Sequence, residues 1–198
     1  MVTAPNIAVF ASGGGSNLQA LIDANLRGDL LAPVALVVSN RSTSGALERA
    51  RKHNIPWAHI SSKTHPDPDS AILEQLAEHK IELIALAGYL KLISPKLIAH
   101  FTHKILNIHP GPLPRFGGHG MYGSHVHQAV LDSGVRVSGP CIFTVTKAYD
   151  EGPMLAEREV PVLAGDNVET LAARVLQAEH DLYWRTIQEN FCTDIHAP

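Results

Sequence analysis

The chain has 198 residues, 45% of them hydrophobic, and its 16 basic and 19 acidic residues give a formal net charge of -3 at pH 7. This length suits one domain with a real core, and a near-neutral charge without long runs of either sign disfavours binding to nucleic acid or an anionic membrane. Because there is no membrane-spanning apolar stretch, no secretory signal and no disulfide framework, we expect a cytoplasmic protein with both cysteines reduced.

The first half of the chain alternates short apolar runs with amphipathic stretches, a pattern typical of parallel strands covered by helices. The predicted strands are residues 7–11, 33–38, 57–60, 83–87 and 104–108. The predicted helices are residues 17–26, 44–53 and 69–79, with a further short helix beginning at Pro95. The pattern therefore predicts an α/β fold with a Rossmann-like, mostly parallel sheet flanked by helices.

The second half of the chain has a different pattern from Arg136 onward. Residues 137–146 and 154–162 are extended and rich in β-branched side chains, and a long helix is predicted over about 168–187. Residues 115–123 are rich in glycine and predict a mobile surface loop. We therefore expect a mixed or antiparallel C-terminal portion.

A glycine loop, residues 12–17, separates the first predicted strand from the first predicted helix. Backbone amides at such a helix start are unpaired and favour an anion, and Ser16 and Asn17 add side-chain donors. Leu18 stands where the dinucleotide fingerprint has its third glycine, and the P-loop ending is absent, so NAD and ATP are disfavoured. Two interpretations stay open: a phosphate site, or a tight turn without a ligand.

Asn107 and His109 end a predicted central strand, at the edge where open α/β sheets bind ligands. Alternation along the strand sends both side chains to one face. An amide that stabilises an oxyanion beside an imidazole that exchanges protons suits acyl transfer, and Asp150, in a turn, would stabilise the imidazolium. Taken singly, these residues also fit a strand-end cap, a structural histidine and a turn residue.

Three further histidines, His119, His125 and His127, lie close together in the sequence. No carboxylate or cysteine joins them at helical ligand spacing, and acyl transfer between bound groups needs no Lewis acid. We therefore expect no metal.

Six ordered blocks together resemble the phosphoribosylglycinamide formyltransferases, a family of folate-dependent formyltransferases, over nearly the whole chain. The blocks are residues 12–20, 39–41, 86–89, 106–110, 150–153 and 178–180. The resemblance implies the formyltransferase fold as one domain over residues 1–198. Its phosphate-binding half would be about residues 1–110, and about 111–198 would form the folate side.

The resemblance also implies roles for individual residues. Asn107, His109 and Asp150 would be catalytic. The substrate would be bound by Gly14, Gly15, Ser16 and Asn17 at its phosphate and by Glu179 at its glycinamide portion. The folate would lie against Lys91, Leu92, Ile93, Asn107 and Asp150, with Leu92 and Ile93 as apolar walls for its flat ring.

The sequence departs from the family pattern in three places. Phe143 stands where a histidine is expected near the active site, so a second histidine role is missing at this position. Leu176 stands where a polar or basic residue is expected near the phosphate. Gly111 and Pro112, together with residues 117–123, make a longer, more flexible loop than the shortest family form.

The implied reaction moves the formyl group of 10-formyltetrahydrofolate onto the amine of glycinamide ribonucleotide, in purine biosynthesis. The alternatives are hydrolysis of the same folate, formylation of a nucleotide-linked amino sugar, and a noncatalytic relative that binds a phosphosugar or folate. The expected partners are small molecules, and the expected assembly is a monomer or homodimer.

Overall fold

A computed structural model of the chain describes residues 2–194. Its strands are β1 (Val2–Thr3), β2 (Ile7–Phe10), β3 (Val34–Ser39), β4 (Trp57–His59), β5 (Leu83–Leu86), β6 (Ile105–His109), β7 (Val137–Ser138), β8 (Cys141–Thr144), β9 (Met154–Glu157), β10 (Val160–Pro161) and β11 (Thr193–Asp194). Its helices are α1 (Ser16–Arg27), α2 (Gly45–Lys52), α3 (Pro68–Glu78), α4 (Pro95–His100), α5 (Ser124–Asp132) and α6 (Val168–Phe191).

The central sheet has seven strands in the order β4-β3-β2-β5-β6-β8-β9. The first five run parallel, β8 is antiparallel to β6, and β9 is antiparallel to β8. Because β2 and β6 run in one direction, the glycine loop after β2 and the end of β6 at His109 lie at the same sheet edge. The predicted α/β fold with a mostly parallel sheet and an antiparallel portion is confirmed.

Helices cover both faces of the sheet, because each parallel strand is apolar on both sides. On one face, β2, β5 and β6 pack against α1, α2 and α6, with Tyr183 fully buried among them. On the other face, the alternate residues of the same strands, such as Phe10 and Leu86, pack against α3 and α4. No helix within residues 2–194 is long and apolar enough to cross a membrane.

Three features of the second half differ from the predictions. The segment 154–162 forms two strands in different sheets, β9 in the central sheet and β10 outside it. The segment 137–146 is not one strand, because Gly139 turns the chain at φ +137° and passes so close to the Arg158 carbonyl that a Cβ would lie 1.8 Å from its oxygen. It forms β7, which pairs with β10 outside the main sheet, and then β8. Helix α5 was not predicted; it begins directly after Gly123, at the end of the glycine-rich segment that predicted a loop.

Candidate active site

The glycine loop offers a row of open backbone amides. No amide of residues 13–18 donates a hydrogen bond to another residue in the described part of the chain. Gly15, the N-cap of α1, lies in the left-handed region at φ +74°, and a Cβ there would come within 2.9 Å of the Ala46 Cα. Glycine is therefore required at residue 15, and the free amides at a helix start form a concave anion site.

Helix α2 holds the loop from its carbonyl side. The Gly13 carbonyl accepts hydrogen bonds from the Ser44 hydroxyl at 2.8 Å and the Ala46 amide at 3.2 Å. The Gly14 carbonyl accepts one from Arg49 Nε at 2.8 Å. Since these carbonyls are bound by α2, the amide edge is left for a ligand.

Asn17 and Glu179 meet at this loop although 162 positions separate them. Asn17 Nδ2 donates to Glu179 Oε2 at 2.6 Å, and both residues are buried. Burial raises the pKa of Glu179, and the bond from Asn17 opposes that shift. The Asn17 Oδ1 atom is enclosed and has no partner among the described residues.

His109 closes strand β6 and is buried. Its Nε2 lies 2.8 Å from the Phe116 carbonyl oxygen and must be the donor, because a carbonyl only accepts. Burial lowers the pKa of His109, while the Phe116 bond and the negative charge of Asp150 oppose the shift. Asn107 is half-buried two residues earlier, and strand alternation directs it to the same face.

Asp150 forms a hydrogen bond with the same short segment, residues 116–118, as His109 does. Its Oδ2 accepts a hydrogen bond from the Gly118 amide at 3.0 Å. A Cβ on Gly117 would lie 2.3 Å from a Leu113 methyl group and 3.4 Å from Asp150 Oδ2. Residues 116–118 thus bring together two predicted catalytic side chains that lie 41 positions apart.

Comparisons with known proteins agree on one family. A model of the formyl transferase family matches residues 5–187. The chain is 45% identical to the chloroplastic phosphoribosylglycinamide formyltransferase of Vigna unguiculata, covering 92% of this chain and 59% of that protein. It is 34% identical to phosphoribosylglycinamide formyltransferase of Escherichia coli (strain K12), covering 90% of this chain and 83% of that protein. The crystal structure of glycinamide ribonucleotide transformylase 1 from Geobacillus kaustophilus matches with a TM-score of 0.88 and 39% identity, covering 96% of this chain and all of that one.

This chain belongs to the formyl transferase family. It spans about three fifths of the length of the plant relatives that it matches. Every predicted site residue of the chain, from Gly14 to Glu179, lies inside the matched range.

The segment predicted to bind folate has both exposed and buried side chains. Lys91 is exposed, and 77% of the Leu92 surface is accessible. Ile93 is buried in the core beside Leu97 of α4. Leu92 therefore has a surface that a flat ligand would cover, whereas Ile93 has only its backbone to offer.

Phe143 lies directly opposite Asn107 in the β6–β8 ladder, so the two side chains share a face. It is buried and carries no titratable group.

A different histidine, His127 of α5, is buried with its Nδ1 unpaired among the described residues. Burial and the charge of His109 both lower the pKa of His127. The sequence contained no signal for this burial, because α5 itself was not predicted.

The structure also places Leu176 and one of the three clustered histidines. Leu176 is half-buried on α6 and has no hydrogen-bonding side chain. His125 Nδ1 lies 3.2 Å from the Gly120 carbonyl within the glycine-rich segment. Within residues 2–194 there is no group of three His, Cys, Asp or Glu side chains arranged to hold a metal.

Proposed function

We propose that this formyltransferase transfers the formyl group of 10-formyltetrahydrofolate to the amine of glycinamide ribonucleotide. The observation that carries the proposal is the common placement, at one sheet edge, of the open amides of residues 13–18 and of His109 with Asp150. The first suits a phosphate monoester, and the second suits proton exchange during acyl transfer. The names of the relatives point to the same substrate.

The substrate phosphate binds the amides of the glycine loop, including Gly14 and Gly15, with Ser16 and Asn17 as side-chain donors. Glu179, bonded to Asn17, accepts hydrogen bonds from the glycinamide portion. This arrangement leaves the terminal amine directed toward His109. Aligning two bound reactants in this way removes on the order of 7 to 11 kcal/mol of barrier.

The amine nitrogen attacks the formyl carbon, and the bond from that carbon to the folate nitrogen then breaks. Asn107 donates to the oxyanion of the tetrahedral intermediate. Because Nε2 of His109 donates to Phe116, Nδ1 is the nitrogen that takes the amine proton and passes it to the departing folate nitrogen. A lowered pKa keeps His109 neutral and ready to accept a proton at pH 7, and Asp150 stabilises the imidazolium once it forms.

The folate occupies a site formed by residues from both halves of the chain. Its ring rests on exposed Leu92, next to Lys91 and the backbone of Ile93, and reaches Asn107 and Asp150. The half-exposed ring of Tyr149, adjacent to Asp150, offers a second flat surface. Residues 91–93 and Asn107 of the first half thus join Asp150 of the second half at the cosubstrate, while Glu179 of the second half serves the phosphorylated substrate, within one domain. Cytoplasmic location and a monomeric or homodimeric state stay predictions.

The test is to incubate purified protein with 10-formyltetrahydrofolate, with and without glycinamide ribonucleotide, and to follow folate absorbance. The expected result is deformylation of the folate that depends on the nucleotide and yields formylated nucleotide in equal amount. Deformylation without any acceptor would instead identify a hydrolase. Turnover only with an amino-sugar nucleotide would change the acceptor, and tight binding of both ligands without product would identify a noncatalytic relative.

A further inference from the structure

A cavity of about 420 Å³ opens beside the first turn of α1. It lies between α1 and α6, and its lining includes Ser16, Arg49, Gln177 and His180. Ser16 is one of the residues whose amide is free, so the cavity adjoins the proposed phosphate site. The side chains that line this cavity are therefore candidates for contact with the phosphate.

Arg49 reaches this cavity from α2 in a defined orientation. Its Nε donates to the Gly14 carbonyl at 2.8 Å, and its Nη1 donates to Gln19 Oε1 at 2.9 Å. These two bonds hold the planar guanidinium against the glycine loop. They leave Nη2 without a partner among the described residues.

Arg49 also differs from the other charged groups of the cavity. Those groups have partners: Asp181 binds Arg158 and Arg185, Arg27 pairs with Asp29, and Asp23 accepts a hydrogen bond from Gln19. Half-buried Arg49 has no ion-pair partner within residues 2–194. A cation that is partly removed from water and lacks a carboxylate favours an anionic ligand.

A second polar atom in the cavity has no partner. The Nε2 atom of His180 is enclosed and has no partner in the described chain. Burial lowers the pKa of His180 and the positive charge of Arg49 lowers it further, while the negative charge of Asp23 opposes the shift. The cavity thus combines the free amide of Ser16 with a guanidinium that has no ion-pair partner and an imidazole nitrogen that has no hydrogen-bond partner within residues 2–194.

We propose that Arg49 is a ligand of the substrate phosphate, donating to it through Nη2 from the cavity side of the glycine loop. The proposal rests on the proposed function for the identity of the phosphorylated substrate. The amides of residues 13–18 bind one side of the phosphate, and the guanidinium adds a charge-assisted hydrogen bond from another. Arg49 therefore selects phosphorylated over unphosphorylated acceptors.

The test compares two acceptors, glycinamide ribonucleotide and the same compound without its phosphate, in wild type, Arg49→Gln, Arg49→Lys and Arg51→Gln. For Arg49→Gln we expect the KM of the nucleotide to rise about 10- to 100-fold with kcat little changed, while kcat/KM for the dephosphorylated acceptor stays constant. Arg49→Lys should restore part of the preference. Arg51→Gln removes the same charge from the same helix at a side chain that stacks on Trp57, and should match wild type.

An equal loss for both acceptors would show that Arg49 only shapes the loop, and no loss for either would show that it does not contact the phosphate; both results overturn the proposal. If Arg49→Gln does not fold in a thermal unfolding control, the acceptor preference of Arg49→Lys decides in its place. A titration with inorganic phosphate separates this inference from the proposed function. Weaker phosphate binding by Arg49→Gln than by Arg51→Gln supports Arg49 even if wild type transfers no formyl group, and equal binding contradicts it.

Discussion

Two glycine-rich loops lie at one edge of the sheet, and they are held in different ways. The glycine loop is bound by Ser44, Ala46 and Arg49 of the next helix, and it presents backbone amides. The loop that follows β6 uses its own backbone, at Phe116 and Gly118, to bind the side chains of His109 and Asp150. In the first loop the backbone is the proposed ligand site, whereas in the second it positions proposed catalytic side chains.

This difference predicts separate consequences of mutation. Damage to the glycine loop should affect stability and substrate affinity together, because the same backbone is packed and binds. Damage at the end of β6 should affect turnover with little effect on affinity for the phosphorylated substrate.

The largest expected effect is that of His109→Ala on turnover. Loss of a general acid and base lowers kcat by about 10³-fold, while the KM for the nucleotide changes little. Steady-state kinetics measure kcat and KM of the variant, and urea unfolding measures its stability. His100→Ala, at an exposed histidine of α4, is the control and should match wild type. Near-normal turnover of His109→Ala would remove this residue from the proposed role.

Gly15→Ala should damage both folding and binding. The left-handed φ and the 2.9 Å approach to Ala46 predict a loss of about 1 to 3 kcal/mol in the free energy of unfolding, together with a higher KM for the nucleotide. Gly13→Ala is the matched control for stability, because a Cβ there meets nothing within 4 Å. Equal destabilisation of the two variants would contradict the strain at residue 15.

Glu179→Gln tests the buried carboxyl group that joins the loop to α6. Burial raises the pKa of folded Glu179 above the unfolded value of about 4.5, so the folded chain binds the proton more tightly. Wild type should therefore lose stability as pH rises from 4.5 through the folded pKa, and the glutamine variant should not show this loss.

Thermal unfolding between pH 4.5 and 8 measures the difference, with Glu189→Gln, at an exposed position on the same helix, as the control. The variant should gain relative stability toward pH 8 and still bind glycinamide ribonucleotide more weakly. Parallel pH profiles for wild type and Glu179→Gln would contradict the burial effect.

Leu92→Ala should have the smallest effect on the fold. Its side chain is 77% exposed, so the free energy of unfolding should change by less than about 0.5 kcal/mol. If the folate ring covers Leu92, the KM for 10-formyltetrahydrofolate should rise about fivefold through lost apolar contact. An unchanged folate KM would separate this segment from the cosubstrate site.

The sequence predicted most elements of the first half to within two residues, because apolar period and flanking glycines or prolines are properties of neighbouring residues. Prediction was poorer after residue 110. Helix α5 begins directly after Gly123, at the end of the segment that predicted a loop. The break at Gly139 depends on the close approach of the Arg158 carbonyl, which lies in the connection between β9 and β10.

The residues of the candidate site likewise fall into those that the sequence indicates and those that it does not. The glycine loop and the Asn107 and His109 pair stand out in the sequence, since both depend on consecutive or alternate residues. The contact between Glu179 and Asn17 and the burial of His127 do not stand out in the sequence. Nor does the sequence indicate that Arg49 contacts the glycine loop.

What the sequence determined by itself is local: parallel strands buried on both faces, a helix start with free amides, and the alternation that turns Asn107 and His109 to one side. The tertiary structure decided which distant groups meet there. It brought Glu179 to Asn17, Arg49 to Gly14, and His109 and Asp150 to residues 116–118. The physical reason is that backbone conformation depends mainly on neighbouring residues, whereas these contacts depend on the path of the whole chain through the sheet.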